Sequence, residues 1–115
     1  MKYILLIYGN ETEFAKRPPE QMGTMLKEYG EFTQSIMQNG NFLGGERLRP
    51  SSTATTVRVR DGRTLTTDGP FAETKEHLGG FYLIEAKDLD EATVIAARIP
   101  GARFGLVEVR PVHPM

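Results

Sequence analysis

The chain contains no cysteine, which excludes disulfide frameworks, thiol nucleophiles and thiolate metal sites. Neither sign of charge dominates: 14 Lys and Arg stand against 15 Asp and Glu, a net charge of -1. A dedicated nucleic-acid binder draws its affinity from neutralised phosphates, so direct binding to DNA or RNA is not expected. Long apolar runs are missing too. The longest, Tyr3 to Tyr8, falls far short of the roughly 18 residues that cross a bilayer. Met1-Lys2 leads straight into that run without a small-residue cleavage site, so no signal peptide is expected and the chain is assigned to the cytoplasm. His77 and His113 lie too far apart for a metal signature, and no cofactor is expected. Neither a phosphate-binding loop nor a nucleophile elbow is present.

What is present is an ordinary globular composition, 39% hydrophobic and 25% charged over 115 residues, enough for one domain spanning 1–115. Lys2 to Tyr8 is rich in β-branched and aromatic residues and stops at Gly9-Asn10, which predicts a first strand. A polar loop with Pro18-Pro19 follows. Met22, Met25, Leu26, Tyr29, Phe32, Thr33, Ile36 and Met37 then recur at helical intervals, and Gly40 is placed to end that helix. Phe42-Leu43 runs into Gly44-Gly45 as a short second strand. Thr55 to Arg60 and Arg63 to Thr67 flank Asp61-Gly62, a strong hairpin signal. Only Val57, Val59 and Leu65 are apolar there, with Leu65 expected to face the valines, so the hairpin reads as an arm at the domain edge. Phe81 to Ile84 is a further strand. Asp88 caps a second helix whose inward stripe is Leu89, Ala92, Ile95, Ala96 and Ile99, and Leu106 to Arg110 is the last strand.

With the arm set aside, the order is β-α-β-β-α-β, an α+β ferredoxin-like plan with an inserted β-hairpin. Both helices then cover one face of an antiparallel sheet, and the other face should be polar. It is not. Tyr3, Leu5 and Ile7 oppose Ile4, Leu6 and Tyr8, and Phe81 and Leu83 oppose Tyr82 and Ile84. An apolar patch of that size is best covered by a second copy, which predicts a homodimer pairing sheet on sheet as a dimeric α/β barrel.

The stretch Asp68-Gly-Pro-Phe-Ala-Glu-Thr-Lys-Glu76 is dense in ionisable groups at a forced turn, just before Gly79-Gly80. Asp68, Lys75 and Glu76 are candidate catalytic residues for proton transfer, with Glu76 or Asp68 as base and Lys75 as electrostatic partner. On strand alternation Lys75 would share a face with Glu73. A purely structural role fits as well: Asp68 making an Asx-type turn and Glu73 with Lys75 forming a solvated strand edge. Tyr8, Tyr29 and Tyr82 are candidate ligand-binding residues lining a cavity at the dimer interface. Tyr29 also reads as core. His77 either shares a proton with Glu76 or sits exposed at a strand edge. Between Arg47 and Arg63, five arginines face one aspartate, a local charge of +4. That could attract an anionic ligand or a nucleic-acid backbone; without aromatics for stacking, it reads rather as a solvated arm or a clamp on the acidic surface of a partner subunit.

The run from Asp68 to Glu76, followed by Leu78-Gly-Gly-Phe-Tyr82, resembles the signature of the DGPF-domain branch of the YCII-related proteins. The opening Met1 to Gly9, Thr53 to Gly62, Asp88 to Ala92 and Val107 to Pro111 resemble that family as well. The resemblance implies a dimeric α/β barrel of ferredoxin-like halves. It also implies small enzymes or ligand binders, some related in fold to muconolactone isomerase, and an association of some members with extracytoplasmic-function sigma factors. Three readings follow: a small-molecule site with proton transfer, a regulatory module acting with a sigma factor, and a structural dimer with a vestigial site. The His/Asp pair associated with the YCII branch has its His on the first helix; this chain has no His before His77, so an imidazole-based mechanism is not expected from the resemblance.

Overall fold

Along the chain run β1 (Lys2–Gly9), α1 (Glu11–Ala15), α2 (Pro19–Gln38), β2 (Phe42–Arg47), β3 (Thr55–Arg60), β4 (Arg63–Asp68), β5 (His77–Glu85), α3 (Leu89–Ala97) and β6 (Leu106–Pro111). Single 3-10 turns occupy Ser51–Thr53 and Pro100–Arg103. The computed structural model describes residues 1–72 and 74–114. Four strands form one sheet in the order β2-β5-β1-β6, every neighbouring pair antiparallel. This α+β arrangement of an antiparallel sheet with three helices is compatible with a ferredoxin-like fold. β3 and β4 form a separate two-stranded sheet.

Local chemistry accounts for most boundaries. Pro19 opens α2, where a missing N–H costs nothing. Its end is a Schellman closure: Gly40 takes φ +78, its N–H donates to Met37 O and that of Asn41 to Ile36 O. Asp88 accepts from the Glu91 N–H at 2.9 Å and starts α3. Asp61 (φ 52) and Gly62 (φ 74) give the β3–β4 hairpin the two left-handed residues of a type I′ turn.

The core is one-sided. Tyr3, Leu5, Tyr82 and Ile84 of the sheet meet Phe32 and Ile36 of α2 and Ala92, Ile95 and Ala96 of α3, with Ile99 beyond. Some expectations are corrected here. Leu26 and Met37, expected inward, are exposed, because each stands about 100° round the helix from the buried Met25 and Ile36. Leu89 is exposed as well, so the α3 stripe begins at Ala92. The loop after Asn10 contains α1, whose N-cap Asn10 accepts from the Glu13 N–H. β5 begins at His77, four residues before Phe81.

On the opposite face of the sheet Ile4, Leu6, Tyr8, Phe81 and Leu83 are part-exposed and Leu78 and Leu106 exposed. They sit side by side across the strands as Ile4↔Leu83, Leu6↔Phe81, Tyr8↔Leu78 and Tyr8↔Leu106. The two-sided apolar pattern of β1 and β5 is therefore real, and one of its faces lies away from the core. Among the described residues no helix is long and apolar enough to cross a membrane.

Candidate functional site

Three segments converge where β5 begins. His77 pairs with Gly9 at the end of β1, and the chain turns from there into α1, which starts at Glu11. The stretch beyond β2 runs alongside, its Leu48 N–H donating to Gly79 O at 2.9 Å, and delivers the 3-10 turn at Ser51. Ser51 donates twice to one carboxylate: its N–H to Glu11 Oε2 at 2.8 Å and its Oγ to Glu11 Oε1 at 2.5 Å. His77 Nδ1 lies 3.5 Å from that same Oε1.

The electrostatics follow from this packing. Partial burial would raise the Glu11 pKa, but the two Ser51 hydrogen bonds and the adjacent imidazole outweigh it and hold the carboxyl below its ordinary value. Of the two ring nitrogens, Nδ1 is the one that lies against the Glu11 carboxylate. The His77 side chain is 21% exposed, and its Nδ1 is buried without a hydrogen-bond partner among the described residues. The imidazole is thus neither at an exposed strand edge nor paired with Glu76, as the sequence suggests; its acidic neighbour is Glu11.

A depressed carboxyl pKa stabilises the fold at pH values above the ordinary carboxylate range, and that contribution is lost as pH falls through the folded-state value. Glu11→Gln should therefore cost about 1 kcal/mol at pH 7, the worth of a charge-assisted hydrogen bond less its neutral replacement. Urea unfolding at pH 7 and pH 3 checks this. The gap between wild type and variant should close at pH 3, and a pH-independent gap would contradict it.

The residues singled out from sequence are more dispersed. Asp68 ends β4 opposite Thr55 and is exposed. The turn after it is closed by backbone and by Thr56, not by an Asx bond. Gly69 (φ +94) donates to Ala54 O at 2.7 Å and accepts from Thr56 Oγ1 at 2.8 Å. Lys75 and Glu76 are exposed and precede β5, so strand alternation does not apply to them; Glu73 lies outside the described residues. Thr74 Oγ1 donates to the Glu76 carbonyl.

The three tyrosines do not line one surface. Tyr29 accepts from Gly101 N–H at 3.1 Å, and the Tyr82 hydroxyl bonds Thr33 Oγ1 at 2.7 Å, both on the helix side. Tyr82 also packs edge-to-face on Phe32 and Phe42. Burial raises both phenol pKa values, outweighing the Gly101 hydrogen bond at Tyr29 and the hydrogen bond between Tyr82 and Thr33, so they remain protonated. Tyr8 alone belongs to the opposite face, paired with Leu78 next to His77. Two shallow grooves, about 240 and 310 Å³, flank α2 and include none of these residues.

Sequence reasoning missed Glu11 and Ser51. Their only local trace is Asn10 followed by two acidic residues, the start of a helix.

The YCII-related domain family matches this chain over residues 1–115. An uncharacterised protein of Rhizobium meliloti is 36% identical over 114 residues, covering 97% of this chain and 92% of its own length.

Proposed function

The chain belongs to the YCII-related family, and we propose that this member is a homodimeric small-molecule-binding domain that moves a proton. The observation that carries the reading is the part-buried His77 imidazole beside the ionised Glu11. It stands at the start of β5, one residue from Leu78, which joins Tyr8 on the open apolar face, so His77 would meet that face round the end of the strand and not from within it. An apolar wall with a few convergent polar groups at its rim is how small-ligand sites are built.

In this reading a second copy covers the open face, sheet on sheet as in a dimeric α/β barrel, and Tyr8 lines the resulting cleft. His77 acts as the base, and Glu11, fixed by Ser51, lies against its Nδ1. Asp68, at the end of β4, and Lys75 and Glu76, just before β5, supply the polar groups of the site, with Lys75 attracting an anionic substrate. Tyr29 and Tyr82 support the site from the core. The order of the four main-sheet strands supports a ferredoxin-like half with β3 and β4 inserted, and Asp68-Gly-Pro-Phe71 supports the DGPF branch.

A library of small organic acids, screened by thermal shift, tests the proposal. At a hundred times its Kd a ligand adds about 2.7 kcal/mol, a rise of several degrees in Tm. A ligand that shifts the wild type should fail to shift His77→Ala and should shift Lys75→Ala less. Ligands that shift all three equally would place binding elsewhere.

A further inference from the structure

Among the described residues, the β3–β4 arm buries almost none of its own side chains. Its strands pair in full register from Thr55↔Asp68 to Arg60↔Arg63. Yet Thr56 alone among their residues is not exposed, while Val57 and Val59 are each 59% exposed and Leu65 is 48% exposed. A lone two-stranded hairpin is marginal in water and needs a further surface against it. The register also corrects the expected facing: Val57 and Val59 lie with Thr66 and Thr64, and Leu65 pairs with Arg58 on the reverse side.

Area and shape show how much surface awaits cover. The chain exposes 8349 Å², whereas a compact monomer of 12.8 kDa exposes about 6,300 Å². Its radius of gyration is 16.0 Å against about 13 Å for a compact domain, and its extents are 47 × 42 × 18 Å. The excess, about 2,000 Å² per chain, exceeds the roughly 800 Å² that each partner gives to a standard interface and falls in the range of obligate dimers. Charge indicates whose surface it is. The segment Arg47 to Arg63 carries +4 in a chain of net charge -1, so the remainder carries -5. Another copy of this chain therefore presents the complementary field. The arm has no aromatic side chain on which nucleic-acid bases would stack.

We infer that the arm is an inter-subunit clasp. It packs Val57 and Val59 onto a second copy of this chain, while Arg58, Arg60 and Arg63 on the reverse side hold the arm within that copy's acidic field. The inference rests on the homodimer proposed above and assigns to it a contact separate from the sheet face.

Sedimentation equilibrium of wild type, Val57→Asp/Val59→Asp and Leu6→Asp, with far-UV circular dichroism to check folding, tests the clasp. The substituted valines are exposed in the single chain, so the fold should persist. Val57→Asp/Val59→Asp should raise the dimer dissociation constant about a hundredfold. Arg58→Glu/Arg60→Glu should raise it about tenfold, and the gap from wild type should narrow in 0.5 M salt, roughly a 4 Å screening length. If the valine variant dimerises as tightly as wild type while Leu6→Asp does not, the clasp is overturned and the sheet pairing stands. If the valine variant dissociates while Leu6→Asp remains dimeric, the clasp stands and the sheet pairing fails. A wild type that is monomeric throughout overturns both.

Discussion

Leu6→Asp should leave each chain folded and make the protein monomeric. Leu6 is the middle residue of the open face on the central strand, between Phe81 of β5 and Glu108 of β6. Its side chain points away from the core, so a carboxylate there stays hydrated in an isolated chain. In a sheet-on-sheet dimer the same carboxylate loses its water without gaining a partner. An unpaired buried charge costs several kcal/mol, and two-fold symmetry places two of them in the interface. The dissociation constant should rise at least about ten-thousandfold, read as a halved mass in light scattering with unchanged circular dichroism. A variant that keeps the wild-type mass would place the interface elsewhere.

Gly105→Ala should be among the most damaging single substitutions in the chain. Gly105 precedes β6 and lies against the central strand. A Cβ there would overlap the Tyr8 carbonyl oxygen and come within 3.0 Å of Gly9 Cα. Both are backbone atoms of β1, which is held by ladders on both sides and cannot move aside. The cost should be about 3 kcal/mol, the upper end for inserting a methyl group into a closely packed site. Gly23→Ala is the matched control. Gly23 lies within α2, and a Cβ there meets nothing within 4 Å. That change should stabilise by up to about 1 kcal/mol, the difference in helix propensity. Urea titrations of the two variants should move in opposite directions, and a Gly105→Ala protein as stable as wild type would contradict the close approach.

The fold was readable wherever a signal repeats along the chain. The 3–4 spacing from Met25 to Ile36 marks a helix, Asp61-Gly62 marks a turn because few residues accept positive φ, and two-sided apolar alternation marks β1 and β5 as central. The candidate site was not readable in the same way. Glu11, Ser51 and His77 are separated by tens of residues, and each looks like a surface polar group until the register Gly9↔His77 and the Leu48–Gly79 hydrogen bond bring them together. Conversely, Tyr8, Tyr29 and Tyr82 look equivalent as letters. Strand alternation and the Thr33 and Gly101 hydrogen bonds assign two of them to the core. α1 went unread because five residues are too few to show a period.

The paired assembly is tested most directly by the mass of the unmodified protein in solution. Sedimentation equilibrium at micromolar concentration and moderate salt should return twice the chain mass of 12.8 kDa. A single-chain mass across that range would contradict the dimer and the interfacial site built on it.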